Sequence, residues 1–171
     1  MADFDRALEV VLRWEGGFVD HPDDPGGATN LGITLATLSA WRGAEVTAED
    51  VRALTHAEAR DIYRDRYWAA ASCAAFDPGV AVMVFDAAVN HGPRQAALFL
   101  QRAAGVRADG DIGPITRAAV DAADPAALCE EIAARRMAFY GALSTFDTFG
   151  LGWSRRLMNV LRHALSAVEP G

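Results

Sequence analysis

The chain has 171 residues, 51% hydrophobic and 23% charged, which suits one compact globular domain and excludes a disordered chain or a disulfide scaffold. All 16 basic residues are Arg, set against 23 acids, for a net charge of -7. The acids concentrate early: residues 1–90 hold 7 Arg and 15 acids, residues 91–171 hold 9 Arg and 8 acids. Such a chain is poorly suited to nucleic acid or to stable attachment at an anionic membrane, where affinity comes from clustered cations.

The first residues are acidic, and no apolar h-region of a signal peptide follows them. The longest apolar run, 80–85, is far too short to cross a bilayer. A cytoplasmic place of synthesis is therefore expected. Cys73 and Cys129 lie in Ala-rich stretches without a Cys-x-x-Cys pair and read as small buried residues.

The predicted elements are mostly helices. Phe4, Ala7, Leu8, Val11 and Trp14 form one helical face, and Gly16-Gly17 ends it. Residues 18–33, rich in Pro, Gly and acids, predict an ordered loop or small β-hairpin. Thr34 is a candidate N-cap for a helix over 35–41. Thr55 with Glu58 has the capping-box pattern, followed by Ala59, Ile62, Tyr63 and Arg66 on a helix. Asp77-Pro78-Gly79 breaks the chain. Residues 80–90 are apolar almost all round, the mark of a central buried helix. His91-Gly92-Pro93 ends it, and Ala96, Phe99 and Leu100 mark the next. Pro114 opens another helix. Asp124-Pro125 starts a long one through Leu128, Ile132, Met137, Tyr140 and Leu143. Trp153, Leu157, Val160, Leu161 and Leu165 mark the last. The expected architecture is mainly α and two-lobed within one compact domain: a first lobe over 1–75 and a second over 76–171.

The segment from Trp14 to Thr34 holds the candidate chemistry. Glu15 falls at the negative end of a helix macrodipole, beside Trp14 and Phe18, and both surroundings favour a carboxyl that keeps its proton. That suits a general acid. Asp24 follows nine residues later in a polar Gly/Pro-rich loop and should stay ionised, with Asp23 as a rival. Two carboxyls in opposed environments are what glycoside hydrolysis uses. Thr29 is a candidate for holding the attacking water. Gly26 and Gly27 permit close backbone approach to a sugar chain, and Asn30 completes this loop's candidate contacts.

Glu15-Gly-Gly-Phe, followed by Asp23-Asp-Pro-Gly-Gly-Ala-Thr-Asn-Leu-Gly-Ile-Thr34, resembles the N-terminal signature of glycoside hydrolase family 108, a family of bacterial and phage N-acetylmuramidases. Phe85-Asp-Ala-Ala-Val-Asn-His-Gly92, Leu100-Gln-Arg-Ala-Ala-Gly105 and Asp109-Gly-Asp-Ile-Gly-Pro-Ile-Thr116 are similar to the predicted peptidoglycan-binding region of the same family. The resemblance implies a lysozyme-like helical fold and cleavage of the β-1,4 bond between N-acetylmuramic acid and N-acetylglucosamine, without a cofactor or metal. It implies Glu15 as the catalytic glutamate. The spacing from Glu15 to Asp24 also resembles the phage lysozyme triad, but Thr29 stands one residue nearer the Asp than that triad has it. The implied role is that of an endolysin, acting as a monomer on the wall after release by a holin-type pore. A lytic transglycosylase and a non-catalytic wall-binding protein are the alternatives.

Asp86 and Asn90 stand one turn apart on the most apolar helix. Two readings are open: they line the cleft and bond sugar amides or orient Glu15, or they form a core network. Gln101 has the same pair of readings. Asp109-Gly110-Asp111 hints at a calcium loop, but Val120 stands where an EF-hand needs its last carboxylate. Tyr63, Tyr67 and Trp68 read as core rather than as a sugar-stacking platform, Trp153 as a rim residue, and Arg155-Arg156 as a helix cap rather than a contact to an acidic partner.

Overall fold

The computed structural model describes residues 3–20 and 27–168. Over these residues the chain forms α1 (Phe4–Leu12), then β1 (Thr29–Asn30) and β2 (Ile33–Thr34), α2 (Leu35–Arg42), α3 (Ala48–Arg52) and α4 (His56–Tyr63). It continues as α5 (Pro78–His91), α6 (Pro93–Ala103), α7 (Pro114–Ala122), α8 (Pro125–Gly141) and α9 (Phe146–Ala167). A π-helical turn over Arg64–Ala69 and a 3-10 turn over Cys73–Ala75 link α4 to α5. The fold is mainly α, with a small antiparallel hairpin after the first helix.

α5 is the axis of the core. Asp77 caps it, Pro78 fills its first turn, and every residue from Gly79 to Ala88 is buried. Such a helix needs partners on all sides, and α1, α6, α8 and α9 supply them. Gly79 lets α9 come into backbone contact: a Cβ there would stand 2.5 Å from the Ala164 carbonyl oxygen. Phe85 meets Phe4, Tyr63 and Trp68 edge-on at centroid distances of 5.9, 6.3 and 5.4 Å. That aromatic knot joins α1, α4 and the π-turn to the axis.

The caps follow local chemistry, with some shifts from expectation. Thr34 and Asp124 cap α2 and α8 through the backbone N–H groups of Thr37 and Ala127. Thr55 accepts from Glu58 N–H, but the Glu58 carboxylate turns away to a two-point pair with Arg42 at 2.8 Å. The reciprocal capping box forms instead at Thr47 and Asp50, opening the short α3, which the sequence pattern did not show. α1 stops at Leu12, two residues before Trp14, and α8 stops at Gly141. α9 begins at Phe146, well ahead of Trp153, and runs through two glycines. Gly150 is used there, because a Cβ on it would stand 2.7 Å from the Phe146 ring.

Candidate active site

Glu15 is brought to the end of α1 by a tightening of the chain. Trp14 N–H donates to Val11 at 3.0 Å and Glu15 N–H to Leu12 at 3.3 Å, so the carboxylate emerges one turn beyond the helix. The surroundings differ from the expected ones. Trp14 is 37% exposed, and Phe18 is covered by the Arg52 guanidinium at 3.9 Å. The neighbours of Glu15 are instead Gly32, Tyr63 and Tyr67.

The hairpin provides Gly32. β1 and β2 pair Asn30 with Ile33, leaving a two-residue turn of Leu31 (φ 50°) and Gly32 (φ 73°). Positive φ at both positions is what a type I′ turn requires. Leu31 is unusual there, and Tyr63 Oη pins it by donating to its carbonyl at 2.9 Å. The turn therefore presents a bare backbone to the carboxylate: a Cβ on Gly32 would stand 2.6 Å from Glu15 Oε2 and within touching distance of Tyr63 Oη.

The other side of Glu15 is electrostatic. Arg156, on α9, places Nη1 2.9 Å from Glu15 Oε1. The same guanidinium donates from Nε to Asp86 Oδ1 at 3.0 Å, while Nη2 lies 2.9 Å from that oxygen without hydrogen-bond alignment. Asp86 Oδ2 accepts from Arg136 Nη2 at 2.6 Å, and that nitrogen also donates to Tyr140 Oη at 3.1 Å. His91 Nε2 lies 3.2 Å from the same hydroxyl. Anion and cation thus alternate from the surface inward: Glu15, Arg156, Asp86, Arg136. Exposure falls in step, with side chains 18% and 12% exposed for Glu15 and Arg156 and none for Asp86 and Arg136.

These contacts set the charges. Burial alone would raise the Asp86 carboxyl, but Arg136 and Arg156 outweigh it and hold the group below the usual carboxylate range. Burial and the neighbouring Arg136 push His91 down to about 4, so it is neutral near pH 7. Burial drives Tyr63 and Tyr67 upward, and both stay neutral as well.

The other expected site residues are spread unevenly. Asp23, Asp24 and Gly26 lie outside the described residues. Gly27 (φ 65°) and Thr29 lead into the hairpin. Thr29 exchanges backbone bonds with Val19 at 2.8 Å, and its hydroxyl donates to the Gly27 carbonyl at 3.4 Å. Asn30 is buried and its amide donates to the carbonyls of Val51 and Arg52, pinning β1 on the end of α3. Asp86 is fully buried and takes the network geometry of its two readings, reaching Glu15 through Arg156. Asn90 is exposed and folds back onto Asp86, donating to its carbonyl and carboxylate at 2.9 and 3.2 Å. Gln101 is buried elsewhere. It donates to Asp109, Asp111 and Thr116, and accepts from Gly110 N–H, so it orders the turn before α7.

Arg136 and Arg156 were not among the expected residues. Arg156 does not cap α9; it lies more than two turns inside that helix, and only Arg155 of the pair is exposed. A signal existed for Arg136. It falls in register with Leu128, Ile132 and Tyr140 on the apolar face of α8, and a cation there needs a buried anion. Among the described residues, no three His, Cys, Asp or Glu side chains are grouped to hold a metal ion.

A half-buried carboxyl at a helix end, a close backbone turn and a mainly α frame fit a glycosidase. Comparison with known proteins supports this. Residues 8–92 match the family model described as glycosyl hydrolase 108, and residues 95–158 match one described as a predicted peptidoglycan domain. A solved structure titled "Structure of Brucella abortus SagA" is 44% identical, covering 98% of this chain and 97% of that one, with a TM-score of 0.90. A comparison with curated proteins finds no match. The protein is a glycoside hydrolase that acts on peptidoglycan. It belongs to glycosyl hydrolase family 108.

Proposed function

We propose that the chain hydrolyses the β-1,4 bond between N-acetylmuramic acid and N-acetylglucosamine, with Glu15 as the proton donor. The observation that carries this reading is the setting of the Glu15 carboxyl. One oxygen faces a guanidinium, and the other faces the bare Gly32 turn. The oxygen beside Arg156 is taken up as an acceptor by the guanidinium, so the transferable proton belongs on Oε2. That proton passes to the glycosidic oxygen as the bond to the anomeric carbon breaks.

Asp24 serves as the second carboxylate in this reading, with Thr29 aiding the water, and Gly26, Gly27 and Asn90 belong to the glycan-facing rim. The Glu15 side, over 1–75, acts as the catalytic lobe, and 76–171 as the lobe that holds the strand. The endolysin role, as a monomer released through a holin-type pore, is part of the same proposal. No described helix is long and apolar enough to cross a membrane.

The test is a digest of purified peptidoglycan, with the soluble products reduced by borohydride and identified by mass spectrometry. Products ending in reduced N-acetylmuramic acid support the proposal. Products with 1,6-anhydro-muramic ends overturn it in favour of a lytic transglycosylase. A protein that pellets with the wall but releases nothing is a binding module. Glu15→Gln should keep pelleting and lose roughly a hundredfold or more in turnover, the usual contribution of a general acid.

A further inference from the structure

We infer that Arg156 is the positioning residue of Glu15, and that the segment matched to the predicted peptidoglycan domain thereby completes the active centre. This rests on the reading of Glu15 as the proton donor.

The two family matches divide the chain at residues 92 and 95. The ion chain crosses that division three times. Glu15 and Asp86 come from the first match, Arg136 and Arg156 from the second, and each ion pair joins one to the other. A segment that only bound wall polymer would have no reason to send two arginines into the interior of its neighbour. Burying Arg136 and Asp86 fully, at 0% exposure, is costly unless the pair is held in good geometry. What the pair offers in return is a fixed anion behind Arg156, and hence a fixed Nη1 at the Glu15 carboxylate.

Arg156 does two things for Glu15. It holds Oε1, which leaves Oε2 as the oxygen that carries the proton. It also compensates the anion left after the proton has gone. Asp86 tempers both effects, because the same guanidinium answers to two carboxylates. Removing Arg156 and removing the Asp86 charge should therefore act on Glu15 in opposite directions.

The tyrosines that face Glu15 stay silent over the range of the experiment. Tyr63 on α4 and Tyr67 on the π-turn are both raised well out of the working range, and His91, behind Arg136, is already neutral. Asp86 is held below the usual carboxylate range and Arg156 is raised, so both stay charged throughout. Asp23 and Asp24 lie outside the described residues, and Asp24→Asn is the control for them.

A general acid must be protonated, so activity falls as pH rises through its titration. The measurement is the pH profile of kcat/KM for release of reducing ends from purified peptidoglycan by the full chain. Arg156→Gln should move the alkaline limb upward by about one unit or more, the scale of losing one adjacent cation. Asp86→Asn should move it downward, and Arg156→Lys should restore part of the wild-type profile. Wall binding, read by pelleting, should change little in each. An unshifted limb in both Arg156→Gln and Asp86→Asn overturns the inference. If Arg156→Gln does not fold, the Asp86→Asn/Arg156→Gln chain is read against Asp86→Asn, from which it differs only by the loss of Arg156: a limb that matches Asp86→Asn overturns the inference, and a limb shifted upward from it supports it. A Glu15→Gln chain that keeps full turnover defeats the proton-donor reading itself. A dead Glu15→Gln with unshifted limbs defeats only the role of Arg156.

Discussion

Gly32 lies so close to Glu15 that a methyl group on it would stand 2.6 Å from the Oε2 atom. The backbone there also has φ of 73°, a conformation that L side chains adopt at a cost of about 1–2 kcal/mol. Gly32→Ala should therefore act twice. The strain should lower the thermal midpoint by several degrees, about 4 °C or less per kcal/mol in a chain of this size. The clash should push the carboxyl off its position, and misplacing a catalytic group by about 1 Å can reduce turnover a hundredfold. Turnover on peptidoglycan and a melting curve separate the two effects. A variant that loses stability and keeps its turnover would show that the contact does not position Glu15.

The Asp86–Arg136 pair predicts a strong thermodynamic coupling. Arg136→Met leaves the buried Asp86 with Arg156 alone, and Asp86→Asn leaves two cations facing each other across a lost anion. Each single change should cost about 3 kcal/mol or more, the scale for breaking a buried pair. The double variant should cost less than the two singles added, by about 1–3 kcal/mol, as residues in direct contact do. Urea unfolding of the four proteins completes the cycle. Simple additivity would mean that the 2.6 Å contact contributes no coupling.

Much of this arrangement was legible in the sequence, and the reason lies in range. Glu15 and the hairpin are written within twenty residues, so local chemistry exposes them together, whereas the glycine that meets the carboxylate is Gly32 and not the Gly26 or Gly27 that the loop pattern singled out. The buried character of α5 was equally plain from the apolar residues at 80–90. Arg156 was not, because it meets Glu15 from the far end of the chain and is one of 16 basic residues, all of them Arg. Asp86 offered the better clue: a carboxylate on a helix buried on every side must have a cation somewhere. Asn30 shows a second role that the motif did not announce: its amide satisfies the carbonyls at the end of α3. That helix of five residues has too weak a pattern to announce itself.

The two cysteines predict slow chemistry. Both are fully buried, and burial pushes Cys129 up to about 12 and Cys73 higher still. The thiolate is the reactive form, so neither should react with a disulfide reagent such as dithionitrobenzoate in the native state. Both should react together, at the rate at which the protein opens, when urea approaches the unfolding midpoint. Rapid labelling of either thiol in native buffer would contradict the packing of the 3-10 turn at Cys73 or of α8 at Cys129.

His91 predicts a loss of stability in mild acid. Its ring meets Phe99 and Phe139 edge-on at 5.5 and 5.3 Å, and its Nε2 lies beside Tyr140 Oη. Burial and the Arg136 charge lower it to about 4, against about 6.5 for a free imidazole. The folded state thus resists a proton that the unfolded chain takes up readily. The stability this histidine contributes is full above about pH 6.5 and is lost as the pH falls toward 4. The ring is partly open to solvent, so the loss should be on the order of 1–2 kcal/mol rather than the larger value a fully buried imidazole would give. His91→Phe keeps the aromatic packing and removes the titration. Urea midpoints between pH 7 and 4 should fall more steeply for the native protein than for this variant. Parallel slopes would show that the proton enters elsewhere, and that the Tyr140–Arg136 end of the ion chain does not repel it.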